Sequence, residues 1–129
     1  MVELRRWRLR RGDVSAAMRA RRSFKRFARD LATASSDLAG AELIFGELAA
    51  NGVEHSRGEM TLVLAQDDAE LVLLVYHGDD WVPPAVASTR APPPMQPRGR
   101  GLFFIRAIAR RIDDPQGTPS RIVLPLTLR

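Results

Sequence analysis

The chain has 129 residues, 45% of them hydrophobic and 27% charged, with no cysteine and a net charge of +5. That is enough for one domain with a real core, expected over 1–129, and it excludes a disulfide framework or a thiolate metal site. The longest wholly apolar run, Leu71 to Tyr76, is far short of the roughly 20 residues that span a bilayer. No apolar stretch of about 7 to 15 residues follows the basic N-terminus as a secretory signal requires, so no membrane contact and a cytoplasmic location are expected.

Residues 1–30 hold ten Arg and Lys25 against Glu3, Asp13 and Asp30, while the rest of the chain is net acidic. A basic end of this kind suits an acidic protein partner, or is simply a solvated helix face in an Arg-rich protein. Nucleic acid ranks last as a partner. Stacking on bases needs aromatics, and only Trp7, Phe24 and Phe27 stand there, the two Phe within a core pattern.

In chain order, Val2 and Leu4 share one strand face and Trp7 and Leu9 the next odd-even phase, a slip that predicts a strand over 2–10 with a bulge. From Val14 to about Ala32, Ala17, Phe24, Phe27, Ala28 and Leu31 recur at helical spacing with Asp13 as the cap, and Arg19, Arg22, Arg26 and Arg29 take the other side. Ser35 or Ser36 is expected to cap a second helix running to about His55, burying Leu38, Ala41, Phe45, Leu48 and Gly52. The segments 60–66 and 71–77, joined by the turn Asp67-Asp68-Ala69-Glu70, read as a β-hairpin or as neighbouring strands, the second apolar on both faces like a central strand. Six of the nine prolines fall in 82–98, a semi-rigid loop. A third helix is expected over LFFIRAIARRI, residues 102–112, and a last strand over RIVLPLTL, residues 121–128.

Two places carry chemistry. Glu47, Asn51 and His55 recur every fourth residue inside an otherwise apolar helical run, a spacing that stacks them on one stripe. A carboxylate, an amide oxygen and an imidazole there can ligate a hydrated cation or activate a water. The plain alternative is a polar helix face, with His55 capping the helix end. Gly99-Arg100-Gly101 stands before the third helix, where unpaired N–H groups favour an anion and Arg98 and Arg100 can add charge-assisted bonds. Alone, a Gly-x-Gly before a helix is weak evidence, and a tight turn into the helix is the readier explanation.

Together these segments resemble a family. Glu47 and Asn51 in ELAANGVEH look like the N box, and PRGRGLFFIRAIARRI looks like the second glycine box, of the gyrase, histidine kinase and MutL superfamily of Bergerat-fold ATPases. The EHS ending and the GRGL-xx-I helix start are similar to the bacterial anti-sigma regulatory factors, serine-protein kinases of partner-switching systems. The resemblance implies an α/β, two-layer α+β sandwich with a mixed, mainly antiparallel sheet and helices on one face, and a proline-rich lid near 82–98. It implies ATP and Mg²⁺ as cofactors, Asn51 as the metal ligand and Glu47 as the base toward an attacking hydroxyl. His55, Arg98, Gly99, Arg100, Gly101 and Leu102 would contact the nucleotide. The implied partners are a sigma factor or an anti-anti-sigma protein of the STAS type, and the family often dimerises.

One motif departs from the pattern. The first glycine box, Asp-x-Gly-x-Gly, should follow the central strand, where this chain reads His77-Gly78-Asp79-Asp80-Trp81. His77 thus replaces the aspartate that reads adenine, and Asp79 and Trp81 replace the glycines. A neutral imidazole can accept that hydrogen bond, a slip could bring Asp79 or Asp80 to it, and Trp81 could stack on a purine or fill its pocket. Two functions are compatible with this: an ATP-dependent kinase and regulator, or a module that keeps the partner surface without nucleotide.

Overall fold

The computed structural model describes residues 1–78, 105–115, 117 and 119–129. The elements run β1 (Val2–Arg10), α1 (Val14–Leu31), α2 (Leu38–His55), β2 (Glu59–Asp67), β3 (Glu70–His77), β4 (Arg111–Asp113) and β5 (Ser120–Val123), with residues 105–108 helical as well. The strands form one sheet in the order β1-β2-β3-β5-β4, and every pairing is antiparallel. This is the expected α+β architecture.

The bulge in β1 falls between Glu3 and Arg5. Beyond it Trp7 and Leu9 turn into the core while Arg6, Arg8 and Arg10 stay exposed. Asp13 caps α1 as expected, accepting from the Ala16 amide at 3.0 Å. The cap of α2 is a correction. Asp37, not Ser35 or Ser36, accepts from the Gly40 amide at 2.9 Å. Ser36 is bound elsewhere: its hydroxyl accepts from the Thr127 amide at 2.7 Å, and the C-terminal segment docks on the α1–α2 connection through Thr33 N–H to Thr127 O and Asp37 N–H to Pro125 O.

Two further expectations change. The third helix does not reach Ile112: helical residues end at 108, and Arg111–Asp113 pair with β5. The last strand stops at Val123 rather than Leu128. Pro125 has no N–H to give a ladder, and the chain leaves the sheet to make a lone bridge between Leu128 and Ala32.

The main core lies between the helices and one sheet face. Trp7 from β1, Phe24 from α1 and Phe45 from α2 meet there, with Phe24 and Phe45 stacked at 4.4 Å and Trp7 edge-on to Phe45 at 5.0 Å. Edge and offset contacts of this kind add to the burial of large rings. Trp7, the aromatic not assigned to the core by its spacing, is therefore buried with Phe24, while Phe27 is partly buried against the same cluster. The other sheet face is also apolar and buried, with Val63, Ala65, Val72, Leu74 and Val123 clustered beside Tyr76. The two-sided apolar pattern of β3 is explained by this second cluster.

At one end of that face, charges knit four strands. Arg121 lies 2.7 Å from Asp67, 3.4 Å from Asp113 and 3.7 Å from Glu70, and Arg111 lies 2.9 Å from Asp113 and 3.2 Å from Glu70. Asp113 first and then Glu70 raise the Arg111 pKa further above its ordinary value.

Candidate functional site

α2 is an unusual helix because its side chains fall on three faces with different tasks. Ala41, Phe45, Leu48 and Gly52 are buried in the core, as the spacing predicts, and Ile44 joins them. Gly46, Ala50 and Val53 line a groove shared with Val14, Ala17 and Met18 of α1. Glu47 and Asn51 occupy the remaining stripe, one turn apart.

Asn51 is only 8% exposed, and its Nδ2 donates to the Glu47 carbonyl oxygen at 2.7 Å. Chemistry fixes the orientation of the amide: a carbonyl oxygen only accepts, so the NH₂ must face it. The Oδ1 acceptor is thereby left for another partner. An amide oxygen is a hard donor, suited to Mg²⁺ shared with waters and phosphate oxygens rather than to an all-protein cage. Among the described residues no cluster of three or more His, Asp or Glu groups could hold a metal ion, and such a shared cation does not call for one. The Glu47 carboxylate is half-buried at the turn before.

His55 does not join this pair. It is exposed at the last position of α2, its Nε2 3.5 Å from Glu54 Oε2. A four-residue step overshoots a full turn by about 40°, so two steps carry His55 about 80° from Glu47.

His77 ends β3 with its Cα opposite Met60, and is 8% exposed. Alternation puts it on the same sheet face as Leu71, Leu73 and Val75, the face that packs under the helices. Met60 in turn abuts α2: a Cβ on Gly52 would lie 2.6 Å from Met60 Cε. The register thus delivers His77 to the same corner of the fold as Asn51. Spacing along the chain does not show the close approach of Met60 to Gly52, whose one local signal is a glycine in the last turns of an apolar helix. Just beyond, the Gly78 amide donates to the Glu59 carbonyl at 3.2 Å.

Asp79, Asp80, Trp81, the proline-rich 82–98, Arg98, Gly99, Arg100, Gly101 and Leu102 lie outside the described residues. C-terminal to this stretch, Ile105 is fully buried, and Ile108 packs so closely on Gly40 that no Cβ would fit there. The helical residues after the second glycine motif therefore rest against the first turn of α2.

No helix among the described residues is long and apolar enough to cross a membrane. No curated protein and no solved structure matches the chain significantly. A family model, that of the histidine kinase-like ATPase domain, matches residues 11–124, nearly the whole described fold from the turn before α1 to the end of β5. The chain belongs to the histidine kinase-like ATPase domain family.

Proposed function

We propose that the chain is an ATP-binding regulator of the anti-sigma type, a cytoplasmic partner of a sigma factor or of a STAS-type anti-anti-sigma protein. The observation that carries this reading is the Asn51 side chain, held by its NH₂ on the Glu47 carbonyl with Oδ1 left over, in a chain of this ATPase family. Domains of this kind typically bind ATP with Mg²⁺. Asn51 Oδ1 would ligate the Mg²⁺, and Arg98 with Gly99 to Leu102 would hold the phosphates at a helix start. The metal would neutralise charge on the phosphates, and most of the catalysis would come from positioning. Glu47 would take the proton of an attacking serine hydroxyl on the partner as the γ-phosphoryl group is transferred and ADP leaves.

A second reading is favoured by His77, a buried imidazole where the family has a carboxylate for adenine. The chain would then act by sequestering its partner without nucleotide.

Calorimetric titration of ATP and ADP, with and without Mg²⁺, separates the two. Micromolar Mg²⁺-dependent binding that disappears in Asn51→Ala is expected, and absence of binding at millimolar nucleotide defeats the first reading. His77→Asp should tighten ATP binding; unchanged or weaker affinity would show that adenine is read elsewhere.

A further inference from the structure

The strand β1 stands at the edge of the sheet and pairs, among the described strands, with β2 alone. An edge strand exposes a row of backbone N–H and C=O groups ready to pair with another chain. Beside it runs a groove of about 370 Å³ whose floor and wall come from two elements. The helix α1 supplies one stripe, Ala16, Arg19, Ala20 and Ser23, at the spacing of a single helix face. Three of those four side chains are small, which is what leaves room between helix and strand. The strand supplies Arg5 to Arg8.

The charges here are one-sided. Among the described residues, no acidic one lines the groove. Arg6 is held by Glu3 at 2.7 Å, and Arg8 and Arg10 lie 3.8 and 3.4 Å from Glu59. Arg5 sits over the Phe27 ring at 5.7 Å, and among the described residues neither Arg5 nor Arg19 makes an ion pair. Two cations thus flank the groove without a carboxylate.

We propose that this edge takes an acidic, extended segment of a protein partner as an added strand, its backbone pairing with β1 and its carboxylates meeting Arg5 and Arg19. Strand addition beside a helix is a recurrent mode of peptide capture, in which main-chain bonds supply affinity and alternate side chains supply specificity. Self-pairing is disfavoured by the sequence. An antiparallel second copy of β1 centred anywhere from residue 5 to residue 7 sets Arg against Arg: Arg5 on Arg5, Arg5 on Arg6, Arg6 on Arg6, Arg5 on Arg8 or Arg6 on Arg8. Arginines on an edge can also serve only to repel other strands, and the experiment is chosen to separate that role from capture. The inference extends the proposal of a protein partner, but it stands apart from nucleotide binding, and the assay contains no nucleotide.

Fluorescence anisotropy with a labelled peptide alternating valine and glutamate would test it on the full chain. Two N-methylated forms of the peptide, each blocking one alternate set of amides, keep the charge and remove one edge of hydrogen bonds. Binding in the micromolar range is expected, with one methylated form weakened at least about tenfold and the other within about twofold. Arg5→Glu with Arg19→Glu should also weaken binding at least about tenfold, while Arg22→Glu, outside the groove, should not. Equal affinity of all three peptides, an unchanged double variant, or no binding at millimolar peptide would overturn the proposal. Tighter binding of an oligothymidylate than of the peptide would assign the edge to nucleic acid. A dimer of the chain displaced by the peptide would assign it to a second copy. Either result also overturns the proposal.

Discussion

The helices α1 and α2 have 18 residues each and lie side by side, yet they tolerate polar residues in opposite ways. α1 buries one narrow stripe, Ala17, Ala20, Phe24 and Ala28, and carries its Arg and Lys outward, where any single one is one of many. α2 is apolar on most of its circumference, with eight of its residues buried, so Asn51 is conspicuous. A buried amide costs stability unless its groups find partners. On α1 an individual charge says little about function; on α2 one amide, half satisfied by its own helix and half open, says a good deal.

The sharpest way to test that contrast is to cut into the two helices. Phe45→Ala removes a fully buried ring stacked on Phe24 and edge-on to Trp7 and should cost about 3–5 kcal/mol in urea unfolding. Arg22→Ala on α1 should stay within about 0.5 kcal/mol. Comparable losses in both would erase the distinction.

Two glycines of α2 then refine it. At Gly40 a Cβ would collide with the Asp37 carboxylate and lie 2.6 Å from Ile108 Cγ2. Gly40→Ala is therefore expected to lower stability by about 1–3 kcal/mol through overpacking, read from the unfolding midpoint. Next come the caps: Asp37→Ala and Asp13→Ala should each cost about 1 kcal/mol, since each removes one acceptor for an unpaired amide. A loss at only one of the two would mean that the other helix start is held by its tertiary contacts. Smallest and of opposite sign, Gly46→Ala should raise the thermal midpoint, gaining about 0.5–1 kcal/mol of helix propensity. Its Cβ would lie 3.2 Å from Arg21 Nε, and Arg21 is an exposed, flexible side chain that can move aside. A fall in stability would show that Arg21 is pinned there.

Much of the fold is legible in the residues because local chemistry and long-range packing agree. The β1 bulge, the Asp13 cap, the hairpin turn and the core stripe of α2 can each be read from spacing. The α2 cap is misplaced by sequence because three adjacent residues, Ser35, Ser36 and Asp37, all suit a cap. Tertiary contacts choose among them, Ser36 being taken by Thr127. The third helix is drawn too long for a related reason: Arg111–Asp113 fits either period, and β5 decides it. In the site, Glu47 and Asn51 are found together because one helical turn is short. His55 is grouped with them because angular drift accumulates unseen in a four-residue repeat. The nearness of His77 to that corner depends on its pairing with Met60, a long-range fact that no local pattern carries.

The doubly apolar β3 has one further consequence. A strand with one wet face is held in register by its alternation, since a slip by one residue turns every hydrophobic side chain outward. In β3 both faces are buried, so such a slip would exchange one apolar set for another and the pattern alone would hardly resist it. Alignment of the sheet must then be kept at its end. Asp68 adopts a left-handed backbone at φ 52° in the turn, Asp67 faces Glu70 as the last pair, and Arg121 and Arg111 clamp those two carboxylates together with Asp113. A slipped hairpin would break that clamp, and His77 would arrive one position out of place. The polar end of the sheet thereby guards the geometry of a site at its opposite end.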